Sequence, residues 1–213
     1  MPQRSEKCSY LRMPAIGITG GIATGKTAFL DALRGIVPGA SVFDADRAAR
    51  DLTDRDPEVR GLIEGAFGPS VYSAGGDLNR AAIRSIVFAD AEKKRALEQI
   101  LHPRIRRQWS LEAERCRHST ELFFADIPLL YETGGETLCD QVVVVACSPD
   151  VQLERLVRRG ASVDRMTAQQ MIDAQMPLKE KISRADHVVW NNGGRELLAE
   201  QARLLTRLWT EGR

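Results

Sequence analysis

The sequence has few residues from which a metal centre or a disulfide framework is built, because only four of its 213 residues are cysteines. Their spacing gives no Cys-x-x-Cys pair and no histidine set accompanies them, so we do not expect a structural zinc site. We interpret these thiols as buried or idle. They are Cys8, Cys116, Cys139 and Cys147.

The sequence also lacks an excess of either charge, since 30 Lys and Arg residues face 29 Asp and Glu residues. A formal net charge of +1 does not supply the summed basic field on which non-specific nucleic-acid or membrane binding depends. We therefore expect neither kind of partner. The 43% of hydrophobic residues supports a packed core and excludes general disorder.

Long apolar runs are missing as well. The longest, residues 142–147, is far shorter than the roughly 20 residues that a membrane-spanning helix needs. Residues 1–12 contain no apolar segment of a secretory signal, and we expect them to be a disordered extension before the first patterned segment at Met13. These absences predict a cytoplasmic protein, and the length favours one domain with an elaboration.

Alternating strands and helices predict an α/β fold with a five-stranded parallel sheet flanked by helices. The predicted strands are residues 15–19, 40–46, 121–126, 141–146 and 187–190. The predicted helices around them are residues 26–35, 149–159, 167–175 and 194–209. We expect Gly35 to cap the first helix. The last helix should present an apolar stripe of Leu197, Leu198, Ala202, Leu205 and Leu208.

Between the second and third strands, the pattern indicates helices only. Asp56 and Gly68 should begin and end one helix, and Asn79 and Asp90 are expected N-caps. A His102-Pro103 pair is expected to break a later helix and to aim His102 or Arg106 at an anionic substrate. We therefore predict a core of residues 13–46 and 120–213, into which residues 47–119 insert as a helical substrate-binding domain.

Residues 20–27, GGIATGKT, fit the phosphate-binding pattern GxxxxGK[ST] and lie directly between a predicted strand and a predicted helix. The glycines let backbone N–H groups surround an anion, and the helix N-terminus adds a positive dipole end. We expect Lys26 to reach the β- and γ-phosphates and the Thr27 hydroxyl to hold Mg²⁺. The predicted ATP-binding residues of this loop are Gly21, Ile22, Ala23, Thr24, Gly25, Lys26 and Thr27. Because no NKxD element for guanine occurs, a small kinase is favoured over a GTPase.

Acidic residues follow two of the predicted strands. Asp44 and Asp46, two apart at the end of the second strand, should point to the same face of the ligand crevice. Either one can accept a proton from an acceptor hydroxyl, or can instead cap the helix that begins near Arg47. Asp126 ends an apolar run, which is typical of an acid that positions Mg²⁺ through water; the alternative is a helix cap.

Arg155 and Arg159 are four residues apart on one predicted helix and therefore share a face. A lid is predicted at about residues 158–170, and guanidinium groups beside a lid neutralise a transferring phosphoryl group. The alternative is that both arginines are solvated helix residues. His118 and His187 are interpreted as structural.

With these residues in view, the chain resembles the dephospho-coenzyme A kinase family. The matching segments occur in the family's order and run from residue 15 to about residue 208. They are residues 18–27, 44–50, 100–106, 126–132, 148–160, 174–181 and 185–194. One departure is the Ala23-Thr24 pair, which stands where the family favours Gly-Ser.

The resemblance implies a P-loop kinase of three-layer fold with a helical insertion and a short lid. It implies ATP-dependent phosphorylation of the ribose 3′-hydroxyl of dephospho-coenzyme A (dephospho-CoA), which is the last step of coenzyme A synthesis. By motif position, Asp46 is the base, and Lys26 and Arg155 are a phosphate-binding catalytic pair. Further implied ATP contacts are Arg159, Asn191 and Asn192. The implied acceptor-binding residues are Asp44, Arg50, His102, Pro103, Arg106, Pro128, Leu129, Leu130 and Glu132.

Two other functions are considered. Another P-loop nucleoside or nucleotide kinase would share the loop and differ in its acceptor. A nucleotide-binding regulator without catalysis would be expected to have lost an essential residue, yet Lys26, Thr27, Asp46 and Arg155 are all present. We therefore expect a monomeric kinase that uses ATP with Mg²⁺.

Overall fold

A computed structural model describes residues 13–117, 119, 121–159 and 163–211. The chain divides into two compact units, unit 1 with residues 1–42 and 112–213 and unit 2 with residues 43–111. The predictions for residues 1–12, for His118 and for the centre of the lid at residues 160–162 lie outside the described residues.

The sheet has five strands, as predicted. They are β1 (Ala15–Gly20), β2 (Ser41–Asp44), β3 (Phe123–Asp126), β4 (Gln141–Ala146) and β5 (His187–Trp190). Their order is β2-β3-β1-β4-β5, with β1 parallel to both β3 and β4. The continuous burial of residues 142–146 agrees with a parallel sheet covered on both faces.

Nine α-helices lie within the described residues. They are α1 (Lys26–Ile36), α2 (Ala45–Arg55), α3 (Pro57–Phe67), α4 (Arg80–Ala89), α5 (Ala91–Arg117), α6 (Pro149–Arg159), α7 (Arg165–Asp173), α8 (Leu178–Arg184) and α9 (Arg195–Glu211). Short 3-10 turns occur at Pro69–Val71 and Gly135–Leu138. The seven-residue helix α8 is absent from our sequence prediction. None of these helices has both the length and the apolar character needed to cross a bilayer.

The core of unit 1 lies between the sheet and helices α1 and α9. Phe29, Leu30 and Leu33 form the buried face of α1 and pack in one apolar cluster with residues of β1 and β4. The predicted cap at Gly35 is wrong, because α1 runs to Ile36 and Val37 is its C-cap. Pro38 follows, and a proline disfavours the helical conformation of the residue before it.

Helix α9 buries a stripe at three- and four-residue spacing. Leu198, Ala202 and Leu205 are buried as predicted, and Trp209 extends the stripe. The prediction is wrong for Leu197 and Leu208, which are 57% and 53% exposed. Each lies one residue from a buried position, which is a rotation of about 100° around the helix.

Unit 2 is helical and has its own apolar cluster, which includes Leu52, Val59 and Ile63. The expected caps of the helices in this unit are confirmed. The side chains of Asp56, Asn79 and Asp90 accept hydrogen bonds from main-chain N–H groups at the starts of their helices, and Gly68 is the C-cap of α3.

The predicted extension of the second strand to Asp46 is wrong, and so is the inference that Asp44 and Asp46 share a strand face. Strand β2 ends at Asp44, and α2 begins at Ala45. The reason is local, because the Asp44 carboxylate accepts a hydrogen bond from the Arg47 N–H at 2.9 Å and thereby caps α2. Asp46 lies exposed in the first turn of this helix.

The predicted helix break at His102-Pro103 is also wrong, because Pro103 lies inside the 27-residue helix α5. An internal proline costs a helix about 3 kcal/mol. Ile100, Leu101 and Ile105 on both sides of it pack against the apolar cluster of unit 2. These three side chains are partly buried, and their packing offsets part of the cost of the proline.

Candidate active site

The P-loop connects β1 to α1 and holds Gly25 in the left-handed region at φ 95°. Gly25 is the N-cap of α1, and no side chain caps this helix. The N–H groups of its first turn and the positive end of its dipole are therefore available to an anion. The loop is closed by the Thr24 N–H and the Thr24 hydroxyl, which both donate to the Gly21 carbonyl.

Ala23 has φ 60°, and it alone among the described non-glycine residues has a positive φ. A side chain in this region costs about 1–2 kcal/mol. The Ala23 side chain is buried in one apolar cluster with Leu156 of α6 and Ala168 of α7. Packing against these two helices offsets part of the backbone cost.

Two predicted residues meet beside the loop, since the Lys26 ammonium forms an ion pair with the Asp126 carboxylate. Both side chains are 15% exposed, so the pair is mostly buried but still accessible to a substrate. Asp126 ends β3 and is the register partner of Ile18 in β1, which explains how residues 100 positions apart come together.

The residues present fit a magnesium ion that is shared with substrate phosphates. Thr27 is exposed in the first turn of α1, and its hydroxyl and the Asp126 carboxylate are the hard oxygen donors that Mg²⁺ prefers. Within the described residues, no group of three or more His, Cys, Asp or Glu side chains could hold a metal by itself. This donor set agrees with an ion bound largely by phosphates and water.

The structure also brings Arg155 and Asn191 to the P-loop. The Arg155 guanidinium donates to the carbonyls of Thr24 at 3.2 Å and Asn191 at 2.9 Å. The Asn191 amide donates to the same Thr24 carbonyl at 2.8 Å and is buried. Burial raises the pKa of Cys147, and the adjacent Arg155 offsets only part of this effect. The site therefore favours a neutral thiol beside the charged guanidinium.

Other predicted ATP contacts lie further out. Asn192 is exposed, and its side-chain oxygen accepts a hydrogen bond from the Ser148 N–H at 2.7 Å. Arg159 is exposed at the end of α6. His187, interpreted as structural, lies edge-on to Trp209 and 3.3 Å from the Gln141 side chain.

Two glutamines that the sequence analysis did not single out hold the middle of the loop. The Gln152 amide donates to the Ile22 carbonyl at 2.8 Å, and the Ile22 N–H donates to the Gln175 side chain at 2.9 Å. Gln152 is 4% exposed, which is unusual for this residue type. Both glutamines lie within segments of the family resemblance, which is the one indication that the sequence offered.

The segment after β3 contains the predicted acceptor residues of unit 1. The Pro128 carbonyl accepts a hydrogen bond from the Thr19 hydroxyl at 3.1 Å. Leu130 is buried, whereas Leu129 is 42% exposed. The Glu132 carboxylate pairs at 2.7 Å with Lys181, a fully buried residue that the sequence analysis also missed.

The remaining predicted residues belong to unit 2. On α2, Asp44 serves as the N-cap, and Asp46 and Arg50 are exposed. On α5, His102 and Arg106 are one turn apart and line an open surface cavity of about 520 Å³. The cavity is lined by Arg95, Glu98, Gln99, His102, Pro103 and Arg106. Two arginines against one glutamate make this cavity suitable for an anionic group.

Comparison with known proteins identifies the family. The family model for dephospho-CoA kinase matches residues 14–196. The dephospho-CoA kinase of Anaeromyxobacter dehalogenans (strain 2CP-C) is 45% identical over 202 residues, which cover 92% of each chain. The dephospho-CoA kinase of Geobacillus kaustophilus (strain HTA426) is 38% identical over 195 residues, covering 91% of this chain and 96% of that protein.

Solved structures share the fold. A crystal structure of a Thermus thermophilus protein is 32% identical, with a TM-score of 0.75 and coverage of 92% of this chain and 98% of that chain. The dephospho-CoA kinase from Campylobacter jejuni has a TM-score of 0.72 at 23% identity, covering 93% and 98%, which is evidence for the fold alone. The family model and the two relatives confirm the resemblance found in the motifs: this chain belongs to the dephospho-CoA kinase family.

Proposed function

We propose that the P-loop of unit 1 binds ATP. The γ-phosphoryl group of this ATP is then transferred to the ribose 3′-hydroxyl of dephospho-CoA. Family membership gives the activity, dephospho-CoA kinase, which is the final step of coenzyme A synthesis. One observation carries the assignment of the ATP site: a complete P-loop whose Lys26 lies against Asp126 at the uncapped N-terminus of α1.

Phosphoryl transfer depends on positioning and on neutralising negative charge, because the protein does little covalent chemistry. In the proposed site, the first-turn N–H groups of α1 and the Lys26 ammonium bind the phosphate oxygens of ATP. Thr27 and Asp126 would hold Mg²⁺, which when bound neutralises charge on the β- and γ-phosphates. Asp126 also fixes the direction of the Lys26 side chain through their ion pair.

Arg155 is proposed to neutralise charge on the γ-phosphoryl group. Its two hydrogen bonds to main-chain carbonyls fix the guanidinium at the loop and leave other N–H donors of the fork for a phosphate. Arg159, on the same face of α6, is proposed as a second contact to the nucleotide. Asn191 and Asn192 are proposed on the adenine side of the site.

Asp46 is proposed as the group that accepts the proton of the 3′-hydroxyl. The contacts of the two acids support this choice, because the Asp44 carboxylate already caps α2 whereas Asp46 is exposed. A carboxylate is a sufficient base here, since the loose transition state of phosphoryl transfer demands little activation of the nucleophile. Asp44 would then serve to hold the start of α2.

Proposed acceptor-binding residues occur in the segment after β3 and, separately, in unit 2. The basic cavity on α5, with Arg95 and Arg106, suits the diphosphate of dephospho-CoA. The proposed acceptor-binding residues are Asp44, Arg50, His102, Pro103, Arg106, Pro128, Leu129, Leu130 and Glu132.

A monomeric state and a cytoplasmic location stay predictions. Analytical ultracentrifugation tests the first, and cell fractionation tests the second.

The test of the proposed function is mass detection of coenzyme A after incubation of the protein with MgATP and dephospho-CoA. We expect product of the mass of coenzyme A only when both substrates are present. A panel of nucleoside monophosphates serves as the alternative acceptors. Efficient phosphorylation of a nucleoside monophosphate, with none of dephospho-CoA, would assign the chain to another class of P-loop kinase.

A further inference from the structure

Lys181 on α8 is 0% exposed, although a lysine is among the residues least often buried. Burying an ammonium group is costly unless every N–H donor finds an acceptor. Three acceptors surround this ammonium: a Glu132 carboxylate oxygen at 2.7 Å, the Pro128 carbonyl at 3.2 Å and the Gly20 carbonyl at 3.5 Å. The number of acceptors matches the three donors of a lysine.

Two of these acceptors are main-chain carbonyls next to the reacting groups. Gly20 is the last residue of β1 and the first residue of the P-loop motif. Pro128 lies two residues beyond Asp126, which pairs with Lys26. The Thr19 hydroxyl donates to the same Pro128 carbonyl at 3.1 Å. Lys181 and Thr19 therefore join the chain that enters the P-loop to the chain that leaves Asp126.

The third acceptor connects the same network to the middle of the loop. Glu132 accepts hydrogen bonds from Lys181 and from the Met176 N–H, the latter at 3.1 Å. Met176 directly follows Gln175, whose side chain accepts from the Ile22 N–H. The segment before α8 is thereby held at two adjacent residues.

We propose that Lys181 is a positioning residue for phosphoryl transfer. By binding the Gly20 and Pro128 carbonyls together, it keeps Asp126 against Lys26 and so keeps the phosphate-binding ammonium in place. This inference rests on the proposed function of the P-loop. A buried ammonium needs an acceptor for each of its donors whatever its role. The positioning role is inferred from where two of these acceptors lie, at the start of the P-loop and two residues beyond Asp126.

The experiment compares Lys181→Met with Lys179→Met, which removes an exposed lysine from the same helix. The melting temperature of each variant is measured first. The kcat and the KM values for ATP and dephospho-CoA are then measured at a temperature well below it. In Lys181→Met, kcat should fall about 10-fold or more, because small displacements of reacting groups are costly in rate. The KM for ATP should change by less than about threefold. Lys179→Met should behave as wild type.

A purely structural role predicts a lower melting temperature with kcat per folded molecule unchanged. A folded Lys181→Met variant with kcat within about twofold of wild type would therefore overturn the inference. If Lys181→Met does not fold, Lys181→Arg decides, since the larger guanidinium keeps the charge beside Glu132 but must displace the Gly20 and Pro128 carbonyls. We then expect a kcat reduced about threefold or more in the folded variant, and a wild-type kcat would overturn the inference.

A different experimental result would show that the proposed function is wrong. Wild-type protein that forms no coenzyme A overturns the proposed function, and this inference with it. Active wild-type protein together with a fully active, folded Lys181→Met variant overturns the inference alone.

Discussion

In the P-loop, main-chain atoms are held by side chains from distant parts of the chain, whereas in unit 2 the candidate residues are held by their neighbours. The Thr24 carbonyl accepts hydrogen bonds from Arg155 and Asn191, which are 131 and 167 positions away. In unit 2, the Asp44 carboxylate binds the N–H only three positions along.

This difference indicates how each region responds to substitution. In unit 1, a change beside the P-loop moves main-chain groups that many side chains fix together, so it should alter the geometry of transfer. In unit 2, an exposed side chain such as Asp46 can change with little effect on the fold, so its loss should report the chemistry of that side chain alone. Four predictions test this contrast.

The largest effect is expected for Lys26→Ala. The variant removes the ammonium that offsets charge on the phosphate oxygens, and it removes the Lys26–Asp126 ion pair. We expect kcat to fall about 10³-fold, as for other positioned charges in a site partly closed to water. Steady-state kinetics measure this, with Lys179→Ala as the exposed control. Turnover within about threefold of wild type would contradict the assignment of the loop.

Asp46→Asn comes next, with an expected fall in kcat of about 10²-fold. The variant keeps the shape of the side chain and removes its basic site, so ATP and dephospho-CoA should still bind. Isothermal titration of both substrates checks binding, and steady-state kinetics check turnover.

Asp44→Asn is the matched control, because asparagine is as good an N-cap as aspartate. It should lose less than about 10-fold in kcat and retain α2. If kcat falls strongly in Asp44→Asn while Asp46→Asn stays close to wild type, the role of the base would be assigned to Asp44.

A smaller loss, about 10- to 100-fold in kcat, is expected for Arg155→Ala. The effect on turnover should exceed the effect on ATP affinity, since the charge on the γ-phosphoryl group develops during transfer. Arg155→Lys keeps the charge but replaces the planar, five-donor guanidinium with a shorter, three-donor ammonium, so it should recover only part of the rate. An equal loss of ATP affinity and turnover would make Arg155 a residue of ground-state binding.

The smallest effect concerns stability at high pH. Burial raises the pKa of the Cys139 thiol from 9.0 to about 12. The folded protein therefore disfavours the thiolate, so this contribution to stability is complete below about pH 9 and is lost as the pH rises toward 12. Urea unfolding measures the free energy of unfolding of both proteins at about pH 8 and about pH 10.5. Between these pH values, this free energy should fall by roughly 1–2 kcal/mol more in the wild type than in Cys139→Ala. Equal losses in both proteins would assign the alkaline effect to other groups.

The fold and the loop were predictable where the information lies within a few residues. The P-loop pattern between a strand and a helix, and the caps at Asp56, Asn79 and Asp90, are of this kind. The two wrong predictions in unit 2, of a longer second strand and of a helix break, arise where one kind of interaction outweighs another. Asp44 caps a helix where a longer strand was expected, and Pro103 stays in a helix because its neighbours pack in a core.

The contacts that hold the loop could not be predicted from one sequence. Gln152 and Gln175 bind Ile22 across 130 and 153 positions, and Lys181 reaches Gly20 across 161. In a sequence, glutamine and lysine on amphipathic helices are expected to face solvent. Only the folded sheet shows that these three side chains turn inward to main-chain atoms.

The left-handed conformation of Ala23 has a consequence for the thermodynamics of nucleotide binding. An alanine has fewer accessible backbone states than a glycine, so a loop with alanine at this position has less freedom to lose when a phosphate orders it. The cost of the strained backbone arises during folding, where the packing of the methyl group with α6 and α7 offsets part of it. ATP binding to this P-loop should therefore carry a smaller entropic cost than binding to a loop with glycine at the same position.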